Sequence, residues 1–557
     1  MTASGEGRAD DCVGEGSRRD KGDSFMKLSA RALFWLLSLL LTSLAAWLFA
    51  HFPVTWPVLA LVLVIVALGL YDLVQPKHAI RRNFPFVGRF RYLFESIRPE
   101  MHQYFVEGNT SGRPFSRELR SLVYQRAKGA VDTIPFGTQR DVYELGYEWL
   151  NHSLQAVDPP KEPPRVVIGG PACTQPYSAA VLNVSAMSYG SLSRNAILAL
   201  NKGANLGGFY HNTGEGGLTP HHIEGGGDVC WQIGTGYFGC RDEHGQFDEA
   251  RFAERAQTPC VKMIELKLSQ GAKPGHGGIL PGKKVTEEIS KIRHVPMGKD
   301  VISPPSHSAF RTPRELLFFL NRLREKSGGK PVGFKLCVGK RREFFAICKA
   351  MVETSLYPDF ITVDGGEGGT GAAPLEFSNS IGMPLAEGLV FVHNALVGVG
   401  VRKHIRLIAS GRVATGFDIL HKIAIGADIT NSARAMLFSI GCIQALKCNT
   451  NECPTGIATQ DPSLTAGLVV GDKALRVKNY QKNTVHAFSE LLAAAGLKHS
   501  SELRPWHIMR RVGAADVKHY GEIYDYLDDG ELLRGPVPPT YARSWEQAQP
   551  GSFDAAS

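Results

Sequence analysis

Cys442, Cys448 and Cys453 form a C-x5-C-x4-C array that ends in Cys453-Pro454. Thiolate sulfur suits iron and zinc, and three thiolates this close in sequence can ligate an iron-sulfur cluster. A zinc site wants a fourth ligand and none is adjacent, so three ligands suggest a 3Fe-4S cluster. Unligated buried cysteine is the alternative that spacing alone leaves open. A second group of residues suits phosphate. Asp364 opens a loop that carries Gly368-Gly369-Thr370-Gly371, and Ser410-Gly411-Arg412 and Ala433-Arg434 follow at later strand ends. Glycine lets backbone N–H groups approach phosphate oxygens, and arginine adds charge. Lys335 lies in the apolar run Gly333-Phe334-Lys335-Leu336-Cys337. There it would either pair with a buried carboxylate or stabilise negative charge on the pyrimidine end of a reduced flavin.

These groups need a frame that brings them together. From about Val181, short β-branched runs alternate with helical stretches. Val181 to Met187, Gly208 to Asn212, Val261 to Leu268, Asp300 to Ile302, Val332 to Val338, Phe360 to Asp364, Ile405 to Ser410 and Ala427 to Ala433 read as strands. Eight strand-helix units predict an α/β fold, a TIM (β/α)8 barrel whose chemistry sits at the C-terminal strand ends. All three phosphate-like loops fall at such ends. An open doubly wound sheet is the rival fold, but no early strand feeds a GxGxxG turn.

Two apolar stretches precede this region, Ala32 to Ala50 and Pro57 to Val74, each close to the roughly 20 residues that cross a bilayer. Arg18, Arg19, Lys21, Lys27 and Arg31 come before them and Lys77, Arg81 and Arg82 after. The positive-inside rule places both ends in the cytoplasm, and with them the catalytic domain. No small-residue cleavage site follows the first stretch, which disfavours a signal peptide. The chain thus divides into a disordered tail over 1–25, a transmembrane hairpin over 26–75, an N-terminal capping segment over 76–165, a barrel with its cysteine array over 166–465, and a helical C-terminal extension over 466–557. The 557 residues carry a net charge of +9, spread along the chain with an excess beside the hairpin. That pattern argues for membrane orientation and anion binding and against nucleic acid. Ten irregularly spaced cysteines do not make a disulfide framework.

Several runs together resemble a known family. Ser185-Ala186-Met187-Ser188-Tyr189-Gly190, His211 to Gly217, Ser269-Gln270-Gly271-Ala272-Lys273-Pro274-Gly275, Ile302 to Pro305, Gly368 to Ala372 and the cysteine array through Pro462 occur in order. They resemble the FMN-binding synthase domain of glutamate synthase over roughly residues 180–465, and the N-terminal part is similar to its stand-alone, hairpin-bearing branch. The resemblance implies FMN and a 3Fe-4S cluster, with 2-oxoglutarate and ammonia converted reductively to glutamate. It implies that Ala186, Met187 and Ser188 lie against the flavin and that Gln270 and Lys335 bond its ring. Gly368 to Gly371, Ser410, Gly411, Arg412, Ala433 and Arg434 would take its phosphate, Asp364 would stand among the cofactor-binding residues, and Glu215, Lys273 and Arg293 would face the keto acid.

The chain departs from the family at Ile279, where a glutamine is expected, and at His276, where a glutamate is expected. An apolar side chain cannot replace an amide's hydrogen bonds, which puts the substrate in question. No glutaminase or nicotinamide-binding domain is recognisable. Ammonium, another amine or a partner is expected to supply nitrogen, and an external protein or quinone the electrons. Competing readings are a membrane flavoprotein with a different substrate, a non-redox FMN isomerase-like barrel, which needs no cluster, and a scaffold without chemistry. His211, His221 and His222 carry no carboxylate at ligand spacing, and no divalent metal is expected.

Overall fold

A computed structural model describes residues 29–555. The tail expected over 1–25 lies outside the described residues. Among the described residues two compact units are present, the first ending at Glu107 and the second beginning at Gly108, so the segment expected over 76–165 spans the boundary between them.

The first unit begins with helix Ala30–His51, whose N-terminus is capped by Ser29 Oγ accepting from Ala32 N at 3.2 Å. The 3-10 turn Pro53–Thr55 leads to helix Trp56–Val74. The spans Ala30–His51 and Pro53–Val74 are each 22 residues long, with mean hydropathies of 2.1 and 2.5. At about 1.5 Å per residue each covers the roughly 30 Å of a bilayer core. Their side chains point largely outward, with 11% of each apolar window buried. The two helices approach closely where Gly69 meets the Phe34 ring, and a Cβ there would stand 2.2 Å from Phe34 Cε2. Asp72, the one acid in the pair, is fully buried and bonds Arg89 Nε at 2.7 Å and Nη2 at 2.8 Å. Helices Ala79–Asn83 and Gly88–Met101 complete the unit.

The second unit is organised by eight parallel strands closed into a barrel. In chain order they are β1 (Leu182–Val184), β2 (His211–Asn212), β3 (Val229–Ile233), β4 (Val261–Lys267), β5 (Val332–Leu336), β6 (Phe360–Asp364), β7 (Arg406–Ser410) and β8 (Ile429–Ser432). Each pairs with its neighbour in sequence, and β8 closes on β1 through Thr430 opposite Leu182. One expected strand is corrected. Val301–Ile302 pairs antiparallel with Ile279–Leu280 outside the barrel, and the eighth strand is β3, which lies between β2 and β4. All five residues of β3 are buried, whereas Ile302 is exposed. A strand covered on both faces shows no alternation, so periodicity hid it.

The antiparallel pair Arg165–Ile168 and Tyr177–Ala180 contributes Ile168, Tyr177 and Ala179 to a core cluster with Cys230, Met263, Phe360, Ile408 and Ile429 from the barrel strands. A larger core fills the space between strands and outer helices. Helix Val470–Ala494 opens the C-terminal extension and packs on helices Arg194–Gly207 and Arg117–Lys128. A three-stranded antiparallel sheet joins Glu148–Leu150 to Ile508–Arg511 and Val517–His519, binding the early segment to the C-terminal extension.

Candidate active site

The C-terminal ends of the strands surround two connected spaces of about 280 Å³ and 50 Å³, which share Ala186, Gln270, Lys335, Gly369, Ala433 and Arg434 in their walls. The smaller one is lined by Ser410, Gly411, Arg412, Gly368 and Asp364, so the three loops predicted for phosphate converge there. Phe115 joins Arg412 and Arg434, whose guanidinium carbons lie 5.6 and 4.9 Å from its ring centre. Arg434 Nη2 donates to the Glu367 carbonyl at 2.6 Å. Burial first and the charge of Arg412 second pull Arg434 down to about 10, so its guanidinium remains a cation at neutral pH. Among the described residues neither has a carboxylate in ion-pair contact. Asp364 and Glu367 act on Arg434 from beyond ion-pair distance, and two adjacent guanidiniums at glycine-rich strand ends suit an anion.

Lys335, buried on β5, lies 3.4 Å from Asp364 Oδ2, so the buried-carboxylate alternative raised from sequence is present. Burial alone would lower its pKa, but Asp364 and then Glu265 outweigh that and hold it above its ordinary value. Asp364 Oδ2 also accepts from Gly271 N at 2.9 Å. Here the loop after β4 crosses the loop after β6 so tightly that a Cβ on Gly271 would stand 1.6 Å from the Gly365 carbonyl oxygen. The neighbouring Gln270 lines both spaces, and its Nε2 is buried without a hydrogen-bond partner. A buried unpaired amide donor costs about 1–3 kcal/mol, which a bound acceptor would relieve.

The larger cavity also reaches Met187, Ser188, Glu215, Lys273, Gln232 and Ile279. Glu215 sits on the 3-10 turn Gly214–Gly216 after β2 and accepts from Lys267 Nζ at 2.7 Å. Burial pushes the Glu215 carboxyl up, but Lys267, Lys273 and Arg293 together hold it below its ordinary value. Lys273 Nζ donates to the Ala372 carbonyl at 2.9 Å, and burial, against the attraction of Glu215, takes its pKa to about 8. Arg293 is buried behind this group, donating from Nη2 to the Tyr189 carbonyl at 2.7 Å, with Nε unpartnered. Glu215, Lys273 and Arg293 therefore meet as one electrostatic cluster, although Arg293 is not in the cavity wall.

Lys267 and the layer beneath it were missed from sequence. Glu265 on β4, buried, accepts from Asn212 Nδ2 at 2.8 Å, Gln232 Nε2 at 2.5 Å and Thr362 Oγ1 at 2.6 Å. This network ties β2, β3, β4 and β6 under the cavity floor. Polar residues at Glu265 and Lys267, two apart in an apolar strand, were the available signal, because two residues apart means one face. Ile279 lines the cavity, whereas His276 packs edge-on against Phe377 with ring centres 5.2 Å apart. His211 has both ring nitrogens unpartnered, lies 5.2 Å from the His222 ring, and is pushed by burial down to about 3, hence neutral.

Cys442, Cys448 and Cys453 line the same cavity on the side of the cysteine loop. Gly441, Gln444, Leu446 and Asn451 all have positive φ, so the loop is tightly coiled. It is pinned by Tyr124 OH donating to the Cys442 carbonyl at 2.6 Å, and by Lys284 Nζ donating to the carbonyls of Cys448 at 2.7 Å and Ala458 at 2.8 Å. Burial raises Cys442 to about 12 and also raises Cys448. Burial acts the same way on Cys453, but Thr455 and the N–H groups of Ala458, Thr455 and Ile457 outweigh it and lower its pKa. Among the described residues no three His, Cys, Asp or Glu side chains are already gathered at metal-holding distance.

A closed parallel barrel with a charged cavity at its C-terminal strand ends defines the TIM-barrel class of enzyme. Residues 171–498 match the family described as a conserved region in glutamate synthase. The glutamate synthase large subunit-like protein YerD of Bacillus subtilis (strain 168) is 38% identical over 477 residues, 78% of this chain and 90% of the relative. The archaeal glutamate synthase (NADPH) of Methanocaldococcus jannaschii is 36% identical over 322 residues, 58% of this chain and 60% of the relative. The archaeal-type glutamate synthase (NADPH) of Thermotoga maritima is 35% identical over 331 residues, 59% and 62% respectively. The chain belongs to the glutamate synthase family and is an oxidoreductase of that type, acting on CH–NH2 donors.

Proposed function

We propose that this protein binds FMN and a 3Fe-4S cluster and reductively aminates 2-oxoglutarate with ammonium or another amine donor, using electrons from an external protein or quinone. The observation that carries this reading is the pair of adjoining spaces at the C-terminal strand ends. Between them they hold an adjacent arginine pair, an amide donor without a partner, a lysine-carboxylate substrate end and three thiols. FMN fits the first two: Arg412 and Arg434 would hold its phosphate, while Gln270 and Lys335 would bond its ring. The cluster fits the donor set, since Cys453 is predisposed to its thiolate form and Lys284 holds the loop. When bound, the flavin would supply hydride transfer and the cluster one-electron delivery.

The protein's own residues have defined tasks in this scheme. Lys273 Nζ, as an ammonium, pairs with a substrate carboxylate. Glu215, kept ionised by Lys267, Lys273 and Arg293, faces an incoming ammonium and can accept a proton from nitrogen at its carboxylate oxygen. Condensation of ammonia with the oxo group releases water, and hydride plus one proton convert C=N into CH–NH. The buried Glu265 network fixes Gln232 in the wall, and Met187, Leu437 and Phe438 exclude water.

We further propose that the two apolar helices span the cell membrane, with the catalytic unit in the cytoplasm. A second substrate reading is favoured by Ile279 in the cavity wall, which offers no hydrogen bond and suits a 2-oxo acid with an apolar side chain. Purification in detergent tests the cofactors: flavin absorbance, iron, acid-labile sulfide and the EPR signal of an oxidised 3Fe-4S cluster are expected. Colourless protein would refute the proposal.

A further inference from the structure

Helix Gly88–Met101 carries an apolar face that the first unit does not use. Phe90, Leu93, Phe94, Ile97 and Met101 are all exposed, Phe94 by 62%. At 3.6 residues per turn they share an arc of about 120°, which Tyr104 and Phe105 continue. The opposite side makes the contacts within the unit. Arg89 bonds the buried Asp72 near the end of helix Trp56–Val74, and Tyr92 receives the Arg81 guanidinium 4.5 Å above its ring. Arg31 Nε donates to the Arg82 carbonyl at 2.9 Å, so the start of helix Ala30–His51 meets the same junction. The helix is therefore pinned where both apolar spans end, with its apolar arc turned away from the pinned side. Six Lys and Arg stand against two Glu in residues 77–101, with Arg91 and Arg98 along one edge of the arc.

We infer that helix Gly88–Met101 lies in the membrane interface and seats its Phe90, Leu93, Phe94, Ile97 and Met101 face in a lipid surface that carries anionic headgroups. The inference rests on the proposed membrane-spanning role of the hairpin. An apolar arc beside basic residues, fixed at the depth where spanning helices leave the hydrocarbon, is the pattern of an in-plane helix. Among the described residues no other part of its unit covers this face, and lipid is the phase that must begin at that junction if the hairpin spans.

The test is lipid-phase photolabelling of the full chain in phosphatidylcholine–phosphatidylglycerol vesicles with a diazirine-bearing lipid, read by peptide mass spectrometry. Label in both apolar spans and on Phe90 to Met101, with the helix label lost in the Phe94→Asp/Ile97→Asp variant while the span label stays, is the expected result. Labelled spans with an unlabelled helix would overturn the inference and leave the hairpin reading intact. Unlabelled spans would overturn both. Copy-to-copy crosslinks through Phe94 and Ile97 positions in place of lipid label would assign the face to a second copy of the chain and refute the inference.

Discussion

Replacing Glu215 by Gln probes the substrate end most sharply, because the carboxylate holds three cations in check. Lys267 Nζ lies 2.7 Å from it, and the two side chains are only 7% and 18% exposed. Removing one partner of a buried pair costs about 3–5 kcal/mol, since the remaining charge is left without compensation. Lys273 and Arg293 also lose their attraction to Glu215, so the upper part of that range is expected. Removing both charges of a pair is often close to neutral, so Glu215→Gln/Lys267→Met should recover at least about 2 kcal/mol of the loss. Urea unfolding of the detergent-solubilised chain, followed by tryptophan fluorescence at matched m values, measures both. Activity should not recover with stability in the double variant, because Glu215 is missing from the cavity in each. A single variant that loses less than about 1 kcal/mol, or a double variant that recovers nothing, would show that solvent already screens the pair and would refute the reasoning.

Three further outcomes are expected. Arg412→Ala and Arg434→Ala should each weaken FMN binding by about tenfold to a hundredfold, the worth of one charge-assisted phosphate contact, as read by quenching of flavin fluorescence. Lys273 has its pKa depressed to about 8, so its ammonium is present below that pH and lost above it. KM for the oxo acid should therefore rise by about tenfold per unit above pH 8, and Lys273→Arg should move the break to higher pH, which a KM–pH profile tests. Cys453→Ser should abolish iron and acid-labile sulfide while the flavin stays bound, as shown by metal analysis beside the visible spectrum.

The barrel was legible because most of its strands carry β-branched residues, with Phe209 and Tyr210 in their place before His211–Asn212, and because the glycine-rich loops mark strand ends. Val229–Ile233 escaped because Cys230 and Gln232 interrupt its apolar text while both of its faces are buried. Asp300 to Ile302 misled for the opposite reason, since two apolar residues suffice for a small antiparallel pair. At the site, loops with distinctive composition, such as Gly368 to Gly371 and Cys442 to Cys453, could be read directly. Phe115 could not, because it reaches Arg412 and Arg434 only through tertiary packing across some three hundred residues. Lys284 was equally hidden, a lone lysine whose three carbonyl acceptors come from Ser191, Cys448 and Ala458.

The central claim is tested most directly by adding ammonium and 2-oxoglutarate to the dithionite-reduced protein under strict anaerobiosis, with excess reductant removed. Flavin reoxidation that keeps pace with glutamate formation, one glutamate per two electrons, is the predicted result. Flavin that stays reduced with 2-oxoglutarate, and no glutamate formed, would contradict it.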